Sequence, residues 1–163
     1  MKKVFPFIFS VLLLGVSCSN QSTDLTDEQK ATIISEVGEQ VDGLQSVISK
    51  LDFEAWSEYW SEDEYISVIS DLNFFDTRSA WVDFVANAWS GIENRSYESS
   101  EKRITPLTLN LALVTRMTSG SNILKSGDKN NFKVQLTMIW KKEAVGWKII
   151  HVNESVQRTP IEE

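Results

Sequence analysis

Between residues 93 and 156 the chain reads as four long β-type runs, at about 93–104, 107–118, 131–141 and 146–156. Only Pro106, a polar stretch from Ser119 to Asn131 and a turn ending at Gly146 separate them. Everything helical comes earlier. Thr26 and Gln29 form a capping-box pair, after which Ile34, Val37, Val41, Leu44, Ile48 and Leu51 recur at spacings of three and four, the stripe of one long amphipathic helix. Gly38 and Gly43 weaken that helix by up to about 1 kcal/mol each relative to alanine, but the stripe runs through both. Asp52 caps a short second helix with Phe53, Trp56 and Trp60 on one face. Runs at Tyr65 to Ser70 and Leu72 to Phe75 lead to a third helix, capped by Thr77 or Ser79, striped by Trp81, Phe84, Val85 and Ala88 and ended at Gly91. Helices first and hairpin-linked strands last is the pattern of an α+β domain in which a curved antiparallel sheet wraps the helices.

The N-terminal segment supplies an address. Lys2 and Lys3 precede an apolar run from Val4 to Leu14 that is too short to span a bilayer, so residues 1–17 read as a signal peptide. The run ends in Leu14, Gly15, Val16, Ser17, Cys18, and a cysteine just after small residues is what lipoprotein signal peptidase needs. The expectation is a lipid on Cys18, a polar tether to residue 25, one domain over 26–157 and a tail over 158–163; plain cleavage after Ser17 is the alternative. No second cysteine exists to pair with Cys18. The chain then belongs in a bacterial cell envelope, lipid-anchored in a membrane or periplasmic after signal cleavage, touching membrane through the anchor only. Losing two lysines takes the formal charge from -7 to about -9. No cluster of Lys and Arg offsets that excess, which argues against nucleic acid as a partner.

Two stretches carry a resemblance. Asp52-Phe53-Glu54-Ala55-Trp56 through Trp60-Ser61-Glu62-Asp63 is similar to the short helix and acidic turn that enter the first strand of nuclear-transport-factor-2-like domains. Gly146-Trp147-Lys148-Ile149-Ile150-His151-Val152-Asn153-Glu154-Ser155 resembles the closing strand of the SnoaL-like branch of that superfamily. The resemblance covers most of residues 27–157 and implies a cone with an internal pocket. It implies no single chemistry, because the superfamily hosts isomerases, cyclases, dehydratases, binding modules and oligomerisation domains.

Strand alternation puts Trp147, Ile149, His151, Asn153 and Ser155 on one face, and the cone resemblance makes that face concave. Phe132, Val134, Leu136, Met138 and Trp140 then share the cavity, with Trp60 and Trp140 the tryptophans facing it. His151, the lone histidine, is the candidate general base or acid; a hydrogen-bonded core residue is the competing role. Trp60, Met138, Trp140, His151, Asn153 and Ser155 are the candidate ligand contacts. The base and oxyanion positions of the steroid isomerases in the superfamily fall on Met138 and Leu44, neither of which can move a proton. The Asp and His pair of the polyketide cyclases in the superfamily is not clearly matched, Asp76 before the third helix being a possible partner for His151.

No metal or cofactor is expected. Glu58, Glu62, Asp63 and Glu64 lack the spacing and glycine of a calcium loop, and one histidine cannot complete a zinc site. The leading expectation is a module that binds a small hydrophobic molecule. An isomerase, cyclase or dehydratase using His151 is the second. A homodimer formed through an outer sheet face of Ile139, Ile150, Val152 and Val156 is the third.

Overall fold

The computed structural model describes residues 24–63 and 65–160. The expected signal peptide, Cys18, most of the tether and Glu64 lie outside them. Helix α1 (Asp27–Ser49) starts at Thr26, whose side chain accepts from the Gln29 N–H while Gln29 returns the bond. Its core-facing stripe is Ile33, Val37, Val41 and Leu44. Ile33 therefore takes the buried position expected for Ile34, which is exposed. Helix α2 (Phe53–Ser57) is capped by Asp52 and α3 (Arg78–Ser90) by Thr77.

Six strands follow the order β2-β1-β6-β5-β4-β3 in one sheet: β1 (Tyr65–Ser70), β2 (Asn73–Thr77), β3 (Ile92–Thr108), β4 (Leu111–Leu124), β5 (Lys129–Glu143) and β6 (Gly146–Pro160). Every neighbour pair is antiparallel except β1 beside β6, which is parallel. The sheet curves around the helices without closing, an α+β cone. Its core joins Val37 and Val41 of α1 to Val114, Met138, Trp140, Ile149 and Val152, with Trp56, Trp60 and Trp81 packed beside them.

Of two expected interruptions, one is strand and the other is mostly strand. Pro106 lies inside β3, at a bulge opposite Ala112; β3 is a sheet edge, where a residue without an N–H is tolerated. The polar stretch from Ser119 to Asn131 carries β4 to Leu124 and resumes as β5 at Lys129, leaving a tight turn with Gly127 at φ 92°. Strand continues through these polar residues because they are bonded. Asn122 donates from Nδ2 to Asn130 Oδ1 at 3.1 Å and accepts from Arg95 Nε at 2.9 Å. β6 runs past the expected boundary at 157.

Gly120 is required for the close approach of β3 to β4. A Cβ there would lie 2.0 Å from the Ser96 carbonyl oxygen and 2.6 Å from the Phe132 ring.

Candidate functional site

A bulge in β6 decides which side chains face the inside of the cone. Ile149 pairs with Trp140, but His151 pairs with Ile139, so Ile150 is an extra residue and the alternation changes phase. Before the bulge Trp147 and Ile149 are buried; after it Val152 is buried and Asn153 and Ser155 are exposed. Val152, Glu154, Val156 and Arg158 therefore share a face with Met138, Leu136, Val134 and Phe132. The expected concave placement of His151, Asn153 and Ser155 is overturned. His151 lies on the outer face beside Ser67 and Ile139, and Asn153 and Ser155 line a shallow outer hollow with Thr115, Met117, Gln135 and Thr137. Asp76 is exposed on β2, and among the described residues no bond joins it to His151. The expected outer apolar set is reduced likewise, since Val152 and Val156 turn inward.

Trp60, Met138 and Trp140 do face inward, but as core. Their exposures are 3%, 3% and 0%, and none of them lines the cavity. The cavity, about 290 Å³, lies between the end of α1 at Ile48, helices α2 and α3, and the sheet. Its apolar wall is Trp56, Trp81, Phe84, Trp89 and Phe132. The rings support one another: Trp56 and Trp89 have centroids 5.5 Å apart, and Trp81 stacks on Phe84 at 5.8 Å. The Trp81 indole N–H is buried and has no hydrogen-bond partner among the described residues.

Polar groups converge on the same space. The Glu154 carboxylate oxygen Oε1 accepts from the Ser70 hydroxyl at 2.6 Å. Burial pushes the Glu154 carboxyl up from its ordinary value; the Ser70 bond opposes this, the charge of Asp71 adds to it, and Arg158 and Arg95 pull the other way. Arg95 crosses the cavity wall with its guanidinium 5.1 Å from the Trp89 ring and 5.8 Å from that of Phe132. Burial brings it down to about 10. Tyr97 is pushed up, again by burial, and Arg116 lies 5.7 Å over its ring while donating to Gln45 at 2.8 Å. At the rim, Arg158 donates to Asp71 at 2.7 Å, and Asp71 also accepts from the Val156 N–H.

Arg95, Tyr97, Asn122, Asn130 and Glu154 were not singled out from the sequence. One signal was available for Glu154. Trp147 and Ile149 fall on one alternation and Val152 and Val156 on the other, so the apolar phase itself shifts by a residue within β6. No comparable pattern marks Arg95, which sits in a polar run whose partners come from β4 and β5.

The fold and cavity define a class: an α+β cone that encloses a ligand-sized, aromatic-walled space with a few buried polar groups. Residues 37–159 match the SnoaL-like domain model. The chain belongs to the SnoaL-like family. Among solved structures it is similar to a protein described as a scytalone dehydratase from Novosphingobium aromaticivorans, with a TM-score of 0.74, 11% identity and coverage of 85% of this chain and 93% of that one. It is similar to hexachlorocyclohexane dehydrochlorinase LinA-type3 from Novosphingobium barchaimii, at 0.69, 11%, 83% and 94%. A nuclear-transport-factor-2-like protein from Salmonella enterica gives 0.69, 17%, 77% and 91%. At such identities the likeness is one of fold. No curated protein matches the chain.

Proposed function

We propose that this domain binds a small, largely apolar molecule in the cavity between its helices and the inner face of its sheet. The observation that carries this is the composition of the cavity: six aromatic side chains, Tyr97 among them, and several buried polar groups around about 290 Å³. That volume is at the small end for ligand sites, so the occupant has one or two rings or an equivalent short chain. Replacing Ala88, which is exposed and lines the cavity, with tryptophan fills the space from outside the core. Native mass spectrometry of the protein purified from its producing cell is expected to show a small-molecule adduct that Ala88→Trp removes. A protein that carries no adduct and binds no apolar probe sinks the reading.

A second reading has its own observation. A buried carboxyl in a ligand-sized cavity, held by one hydroxyl and drawn toward its protonated form, is the equipment of a general acid or base. The reaction would be a cofactor-free isomerisation, cyclisation or elimination, with Glu154 and not His151 exchanging the proton. Two structural neighbours, described as a dehydratase and a dehydrochlorinase, lend that reading a precedent of fold only. Turnover lost in Glu154→Gln but kept in His151→Ala would support it, and the opposite pattern would remove it.

The envelope address belongs to the same proposal. Its support is the Lys2–Lys3 pair, the short apolar run and Cys18. Leu25 and Ile48 stand at opposite ends of the 23-residue α1, about 34 Å apart at 1.5 Å per residue. A lipid on Cys18 would thus hold the domain by the end remote from the cavity. Palmitate labelling that survives Cys18→Ser refutes the anchor.

A further inference from the structure

A buried guanidinium without a carboxylate is costly to keep, because a desolvated charge needs either a counter-ion or a ligand that supplies one. Arg95, half-buried against the cavity wall, approaches that position. Its Nε bonds Asn122, its flat faces rest near Trp89 and Phe132, and among the described residues no acid forms an ion pair with it. Among the described residues its terminal nitrogens have no hydrogen-bond acceptor, and the residue lines the cavity. Arg116 is buried over the Tyr97 ring, donates to the neutral Gln45, and feels the charge of Asp42. Arg158 is neutralised by Asp71 at the rim. The remaining acid is Glu154, which is held by Ser70 and not by an arginine. The cavity of a chain of net charge -7 thus holds an arginine that makes no ion pair among the described residues and feels Glu154 only across the space.

Resting on the reading that the cavity takes a small apolar molecule, we propose that the molecule is a monoanion of aromatic or short aliphatic type. Its carboxylate or phenolate pairs with Arg95, and its apolar body lies against Trp56, Trp81, Phe84 and Trp89. A planar fork of donors between two rings suits a carboxylate in bidentate geometry, and the aromatic wall accepts a flat body. The anion also meets Glu154 across the same space. Two negative charges in one cavity disfavour each other, so binding draws a proton onto Glu154. The charged and titratable groups facing Glu154 are Asp71 in the β1–β2 turn, Arg158 on its own strand, and Arg95 and Tyr97 on β3; α3 contributes only uncharged residues to the cavity, and β5 contributes Asn130.

The test uses two probes of one shape, 2-naphthoate and its neutral amide 2-naphthamide, titrated calorimetrically into the mature protein. Naphthoate is expected to bind at least tenfold more tightly than the amide. Arg95→Met, which keeps the bulk and drops the charge, is expected to erase that preference while amide binding persists, and Arg95→Lys is expected to restore part of it. The naphthoate affinity should fall as pH rises through the raised folded value of Glu154, and in Glu154→Gln it should stay level. Equal affinity of the wild type for both probes, or a preference that survives Arg95→Met, overturns the anion inference alone. A naphthoate affinity that is independent of pH in the wild type removes the role of Glu154. Failure of both probes to bind overturns the cavity reading beneath it.

Discussion

Gly120 is where the cone has least room, and substituting alanine there tests the packing around the cavity quantitatively. The new Cβ would lie 2.0 Å from the Ser96 carbonyl oxygen, against a floor of about 3.0 Å for such contacts, so β3 and β4 must separate by roughly 1 Å. The obstacle is backbone, held by the ladder in which Tyr97 pairs with Gly120, and the second obstacle is the Phe132 ring at 2.6 Å. Overpacking of this kind costs about 1–3 kcal/mol, and one weakened ladder bond adds about 1 kcal/mol. A loss of about 2–4 kcal/mol is therefore expected, which for a domain of this size lowers Tm by about 8–14 °C. The control is Gly91→Ala, where the added methyl meets nothing within 4 Å and the backbone is already right-handed at φ -87°. That variant is expected to be neutral or stabilised by up to about 1 kcal/mol. Urea unfolding of both variants, followed by far-UV circular dichroism, gives the comparison. Equal stabilities for the two would refute the close approach of β3 to β4.

Other outcomes follow from the same geometry. Glu154 holds its proton in the folded state at pH values where the unfolded chain has released it, so its contribution is present below the ordinary carboxylate range and is lost as pH rises through the folded value. Glu154→Gln is expected to be more stable than wild type at pH 8, with the gap closing towards pH 4.5; a gap that widens on acidification would contradict this. Leu72 is fully exposed and sits at φ 70° beside Asp71 at φ 46° in the two-residue β1–β2 turn, a conformation that costs a residue with a Cβ about 1–2 kcal/mol. Leu72→Gly should raise unfolding stability by about 1 kcal/mol, and a loss would show that the leucine side chain is held by something. His151→Ala, on the outer face, should change stability by less than about 0.5 kcal/mol and leave probe binding unchanged; loss of binding would return His151 to the site.

The fold was legible because periodicity and caps are local. Thr26 with Gln29, Asp52, Thr77 and Gly91 each stand within a few residues of the backbone groups they serve. The four long strands were legible for the same reason, apart from their ends. The interruption expected at Ser119 to Asn131 shrinks to the turn between Leu124 and Lys129, because Asn122 and Asn130 are satisfied across the hairpin by each other and by Arg95, a tertiary fact no local window contains. The site was hidden more deeply. Arg95 acquires its surroundings from Trp89 on α3 and Phe132 on β5, and the Glu154 partner Ser70 lies 84 residues away.

The whole difference between a site built on His151 and one built on Glu154 comes from a single inserted residue in β6, and cysteine reactivity can measure it directly. With Cys18 replaced by serine no other thiol remains, so single cysteines at 152, 153 and 155 report one position each. A strand with Ile150 as an extra residue keeps Val152 inside, at 4% exposure, and puts Asn153 and Ser155 in water. An unbroken alternation from Trp147 gives the reverse: His151, Asn153 and Ser155 within, Val152 without. The inward positions are modified only when the strand opens, and opening of a packed central strand costs several kcal/mol. A thiol reagent should therefore label Asn153→Cys and Ser155→Cys at rates close to those in urea, and Val152→Cys on the order of a hundredfold or more slowly. The energetic reason for expecting this order is strong. Unbroken alternation would expose Val152 and Val156 and bury three polar side chains, each costing about 1–3 kcal/mol if left unbonded, which would consume most of the 5–15 kcal/mol that holds a domain folded. Fast labelling at 152 with protection at 153 would reverse the assignment and move the acid–base group of the cavity from Glu154 back to His151.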